Sequence, residues 1–105
     1  MVKVIWHSKA ANEYRNALLT GYLEFGEQTS LKLNQKVEHC TKLLAHFPYI
    51  GSRVPALDTS SRQIRRLPVH ELFVLYYYVD EKKAALHIVS FWNTRRNLKK
   101  LSAHT

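Results

Sequence analysis

The sequence predicts an α+β fold in the order β-α-α-β-β-β, a helical hairpin packed on a small antiparallel sheet. Three observations carry this. Two stretches in the first half repeat apolar residues every three or four positions, the spacing of one helix face. Three stretches in the second half are rich in β-branched and aromatic residues and are joined by short polar connections, as in antiparallel hairpins. The 105 residues suffice for one core, so residues 1–105 are expected to form a single domain.

Residues 2–7 (Val-Lys-Val-Ile-Trp-His) read as a short strand. Ser8 suits a helix N-cap, because its hydroxyl can accept from an unpaired backbone N–H. From Lys9 to Phe25, the residues Tyr14, Leu18, Tyr22 and Phe25 form an apolar stripe, with Gly21 a weak point and Gly26 a stop. A second helix fits residues 27–47. Leu33, Val37, Cys40, Leu44 and Phe47 are spaced alternately four and three apart, and Glu27 suits the positive end of the helix dipole. Residues 48–61, with Pro48, Gly51, Pro55 and the Thr59-Ser60-Ser61 run, read as a loop.

The strands then follow. Arg62 to Val69 alternates loosely. Leu72 to Val79 is nearly all apolar or aromatic, as in a central strand covered on both faces. Ala85 to Trp92 closes the set, after a turn that holds Lys82 and Lys83. Residues 94–101 are a basic tail in which Leu98 and Leu101 allow a short C-terminal helical turn. The partner of the first strand is not readable.

Composition excludes several classes. An apolar fraction of 46% with three Gly and three Pro is that of a globular chain, not a disordered or collagen-like one. Cys40 is the sole cysteine, so neither an internal disulfide nor a cysteine-based metal site is expected, and the thiol reads as a small buried apolar group. No apolar run is long enough to cross a bilayer and no signal-peptide pattern is present, so a cytoplasmic protein without membrane contact is expected. Six histidines (His7, His39, His46, His70, His87, His104) form no ligand pair at chelating spacing, and no phosphate loop or nucleophile elbow occurs. No metal and no cofactor are expected.

Charge is the main functional clue. The net charge is +8, and it is uneven. Residues 1–52 hold six basic and four acidic side chains, net +2; residues 53–105 hold ten and four, net +6. Six of the seven arginines (Arg53, Arg62, Arg65, Arg66, Arg95, Arg96) are in the second half. Their planar donor forks suit phosphate and carboxylate, so a polyanionic or acidic partner is expected.

Metal-free RNA cleavage needs a base, an acid and a cation for the developing phosphorane charge. His70 and His87 are the candidate proton carriers, and Arg65, Arg66, Arg95 and Arg96 the candidate cations. Against that, His87 lies mid-strand between Leu86 and Ile88, where a structural histidine is the commoner case, and His70 fits a hairpin turn. Tyr76, Tyr77 and Tyr78 are able to stack on bases, but on a central strand they are more often core.

The order of these elements resembles the RelE/ParE superfamily of toxins from type II toxin–antitoxin systems, also known as plasmid-stabilisation proteins. The resemblance rests on Val4-Ile5-Trp6 followed by Ser8-x-Ala10 and a helical hairpin. Phe47-Pro48-Tyr49-Ile50-Gly51 matches the Pro-x-x-Gly after the family's second helix. Arg65-Arg66-Leu67, then Phe73-Val74-Leu75-Tyr76-Tyr77 and Val89-Ser90-Phe91-Trp92-Asn93-Thr94-Arg95-Arg96 match its strands, over residues 2–98 in all.

RelE-like members cleave mRNA in the ribosomal A site. Their central strand commonly carries an arginine near the position of Val74, and a tyrosine or histidine follows near the C-terminus. Here position 74 is apolar, no tyrosine follows Tyr78, and Trp92 stands where a histidine often precedes the Arg-Arg pair. The sequence is therefore similar to the ParE branch, which the resemblance implies inhibits DNA gyrase without catalysis. A ribosome-dependent endonuclease and a non-toxic binding module remain the alternatives. In each case the resemblance implies an antitoxin whose acidic amphipathic segment masks the basic face. Arg62, Arg65, Arg66, Arg95, Arg96 and Lys99 are the residues expected to contact antitoxin or target.

Overall fold

A computed structural model describes residues 1–95. The elements are β1 (Lys3–Trp6), α1 (Ser8–Phe25), α2 (Glu27–His46), β2 (Ser52–Arg53), a short 3-10 helix (Pro55–Leu57), β3 (Arg65–His70), β4 (Phe73–Asp80) and β5 (Ala85–Asn93). The expected hairpin and strands are all present. The C-terminal helical turn, Arg96 and Lys99 lie outside the described residues.

The five strands form one sheet in the order β1-β5-β4-β3-β2. Strands β2 to β5 pair antiparallel, as the short connections require. Strand β1 joins at the far edge, parallel to β5, with Val4 opposite Leu86 and Trp6 opposite Ile88. The sheet is thus mixed rather than wholly antiparallel. A parallel partner far along the chain leaves no local mark in sequence, unlike a hairpin turn. The 48–61 segment is also more ordered than a plain loop, since it contributes β2 and the 3-10 helix.

The first helix begins one residue earlier than expected. His7, not Ser8, is the N-cap, and it makes no side-chain cap bond. The β1 ladder explains this. His7 N–H still donates to Ile88 O at 2.9 Å, so the backbone stays extended through His7, whose carbonyl then accepts from Ala11 N–H. The helix runs through Gly21. At Gly26 the backbone has φ 92°, which glycine adopts without a Cβ penalty, and this single residue separates α1 from α2. Ser30 Oγ donates to Leu18 O at 3.0 Å and Tyr14 Oη to Asn34 Oδ1, which stitch the two helices together.

The hairpin covers one face of the sheet. Ala10 from α1 and Leu33, Val37, Cys40 and Leu44 from α2 pack with Leu75, Tyr77, Leu86, Ile88 and Phe91 from the sheet. Burial pushes the Cys40 thiol pKa up, which makes it inert, as expected of a small core residue. A second cluster on the opposite face joins Ile64, Val74, Tyr76 and Trp92. The two are reconciled by a bulge. Tyr77 pairs with Ile88 but Tyr76 with Ser90, so Val89 is the extra residue. This lets Ile88 and Phe91, three positions apart, share the helix-covered face, while Val89 and Trp92 join the other.

Candidate interaction face

Strand alternation sorts the basic residues. Arg65 is opposite Tyr77 and Arg66 opposite Tyr76, and these tyrosines belong to the clusters on opposite faces. The adjacent arginines therefore do not share a face. Arg65 acts within the structure. Its Nη1 donates to Tyr49 O at 3.1 Å and Gly51 O at 2.7 Å, and its guanidinium lies 5.2 Å from the Tyr49 ring centroid. Tyr49 in turn donates its hydroxyl to Glu81. Arg65 thus clamps the segment entering β2. Arg66 falls on the face away from the helices and is half-buried.

Arg62 is exposed and reaches that same face, its guanidinium 4.6 Å from the Tyr78 ring centroid. Tyr78 stacks on His87 with centroids 4.8 Å apart and planes 8° apart. His87 Nδ1 lies 3.0 Å from His7 Nε2, so one imidazole donates and the other accepts. The result is a chain of contacts from the end of β1, across β5 and β4, to the segment before β3. His87 has the structural role a mid-strand histidine suggests. His7 was not anticipated. Its two-residue offset from Ile5 marks its face, but nothing local marks a partner eighty residues away.

Burial, then the charge of His87, then that of Arg62 hold the His7 pKa below its ordinary value. The sign of the consequence follows from linkage. His7 takes up its proton less readily folded than unfolded, so the unfolded chain binds more protons as pH falls below about 6.5. Stability should be full above that pH and decline as pH falls through the lowered folded value. Thermal melts between about pH 7.5 and 5 should show this decline. The His7→Gln variant should lose part of the slope, and an unchanged slope would contradict the assignment.

The remaining candidates lie elsewhere. His70 ends β3, exposed, with its Nδ1 accepting from Leu72 N–H at 3.2 Å, the role of a turn residue. Arg95 is exposed in the turn after β5, its N–H bonded to Asn93 Oδ1. Asn93 pairs with Phe73, which pairs with His70. Arg95 therefore sits at the His70 end of the sheet, whereas Arg62, Arg65 and Arg66 sit at the other end of β3. His70 lies four positions along the strand from Arg66, about 13 Å. The candidates form two groups and do not converge on one point.

Glu13 is a further residue that sequence reasoning missed. Beyond Trp6, β1 no longer covers the edge of β5. Glu13 Oε1 takes over there, accepting from Phe91 N–H at 3.3 Å and Ser90 Oγ at 3.1 Å, with Lys9 Nζ 3.7 Å away. Ser90 is fully buried, so its hydroxyl needs this acceptor. Among the described residues, no group of three or more His, Cys, Asp or Glu is placed to hold a metal ion. No described helix is long and apolar enough to cross a membrane.

The fold and sequence were compared with known proteins. A solved chain described as the chromosomal ParDE toxin–antitoxin system from P. aeruginosa superposes with a TM-score of 0.68 at 20% identity, over 89% of this chain and 96% of that one. A metal-bound toxin from Helicobacter pylori gives a TM-score of 0.61 at 17% identity, over 90% and 97%. At these identities the likeness is one of fold. No curated protein matches. The sequence model of the ParE toxin of type II toxin–antitoxin systems (parDE) matches residues 4–98, nearly the whole chain, and the chain belongs to this ParE toxin family.

Proposed function

We propose that this protein is a ParE-type toxin that inhibits DNA gyrase by protein–protein contact and is neutralised by a cognate antitoxin. Family membership supports the toxin reading. The observation that carries the non-catalytic mode is the split of the candidate residues. A general acid or base must lie within hydrogen-bond reach of the group it serves. His70 is about 13 Å along the strand from Arg66, and its Nδ1 is already engaged by Leu72 N–H. Arg65 is engaged by two carbonyls. Cations split between two ends of the sheet suit an extended acidic segment better than a single scissile phosphate. Such a segment offsets its ordering cost by wrapping a large surface. The basic residues meet the target once the antitoxin has left.

Two variants test the antitoxin face. Arg66→Glu and Arg95→Glu, one from each group, should each weaken the antitoxin complex by about tenfold or more, since each replaces attraction with like-charge opposition. Titration calorimetry would show it, and unchanged affinity for both would refute the proposed face. Regulated expression separates the target readings. Lost supercoiling without A-site mRNA cuts supports gyrase, cuts without lost supercoiling would establish the nuclease, and unimpaired growth would leave a non-toxic binding module.

A further inference from the structure

The far end of the helical hairpin presents an apolar surface that the fold does not use. Leu19, Tyr22, Leu23 and Phe25 on α1 are 56%, 54%, 71% and 70% exposed, and Leu31 on α2 is 45% exposed. No residue from Leu19 to Lys32 belongs to either core cluster. The hairpin therefore extends past the core that holds it, with its large side chains in water. Contiguous exposed apolar patches of this kind mark interaction sites.

The charge there is opposite to that of the rest. From Leu19 to Lys32 the charged side chains are Glu24, Glu27 and Lys32, net −1 within a chain of net +8. Charge complementarity selects the occupant. A second copy packed by two-fold symmetry would bring the two acidic tips together. An acidic antitoxin segment would be repelled here and attracted to the arginines of the second half. What fits is a partner with an apolar groove rimmed by lysine or arginine.

We propose that the hairpin tip is a second contact surface for the toxin's target, separate from the basic face that the antitoxin occupies, and that the target's groove is apolar with a cationic rim. This rests on the toxin reading above. The tip carries target affinity only, and the basic face carries antitoxin affinity.

The test uses the full chain, with purified gyrase and the cognate antitoxin as probes. Leu23→Ser/Phe25→Ser removes two exposed side chains outside the core and should fold as the wild type does. It should need at least about tenfold more protein to inhibit supercoiling, with antitoxin affinity unchanged. Glu24→Lys/Glu27→Lys leaves the apolar surface intact and should weaken inhibition most at low salt. A folded serine variant as inhibitory as the wild type overturns the proposal, and an inert charge reversal overturns the cationic rim. If the wild type does not inhibit gyrase, the gyrase reading fails on its own, and growth arrest on induction decides the tip. Arrest relieved by the serine pair with antitoxin affinity kept upholds the proposal. Undiminished arrest, no arrest by the wild type, or a parallel loss of antitoxin affinity overturns it.

Discussion

Gly51→Ala should lower the melting temperature by roughly 15 °C, the change expected for a loss of about 3 kcal/mol in a domain of this size. A Cβ on Gly51 would lie 2.6 Å from Arg66 O, 2.6 Å from Tyr77 Oη and 2.8 Å from Tyr77 Cε1. These are rigid neighbours. Arg66 O belongs to the β2–β3 ladder, and the Tyr77 ring is fully buried on the central strand. Gly51 N–H also donates to Tyr77 Oη at 2.8 Å, so moving the glycine away breaks the hydrogen bond that satisfies the buried hydroxyl. The same segment receives the Arg65 clamp. A differential scanning measurement in which Gly51→Ala melts within about 3 °C of the wild type would contradict this packing.

Leu75→Ala should cost about 2–5 kcal/mol, a large share of a total of about 5–15. Leu75 is fully buried on β4, between Leu67 of β3 and Phe91 of β5, in the cluster beneath the helices. The strands on both sides fix its surroundings, so little collapse into the cavity is expected. Leu23→Ala provides the contrast. With 71% of its surface in water, its loss should change stability by no more than about 0.5 kcal/mol. Denaturant titration of both variants would show the difference. Similar costs for the two would mean that the core is not where the structure places it.

The second helix was legible because its spacing of four and three leaves no other good solution, and all four of its buried residues were on the expected stripe. The β4 segment was legible for its nearly unbroken apolar and aromatic content, and β5 for its β-branched and aromatic residues around His87 and Ser90. Local signals do not carry the rest. The parallel pairing of β1 with β5 joins residues about eighty positions apart, and so does the His7–His87 contact that accompanies it. Glu13 capping the edge of β5 is of the same kind. The opposite facing of Arg65 and Arg66 was implicit in the period of a strand. It changes the functional picture, because it assigns Arg65 to holding the fold and makes Arg66 the one proposed to meet a partner.

Purified protein tested on DNA gyrase supercoiling, alone and with its antitoxin, is the most direct measurement of the central claim. The ParE reading predicts loss of supercoiling that antitoxin restores. Undisturbed supercoiling at every concentration at which the protein remains folded would contradict it.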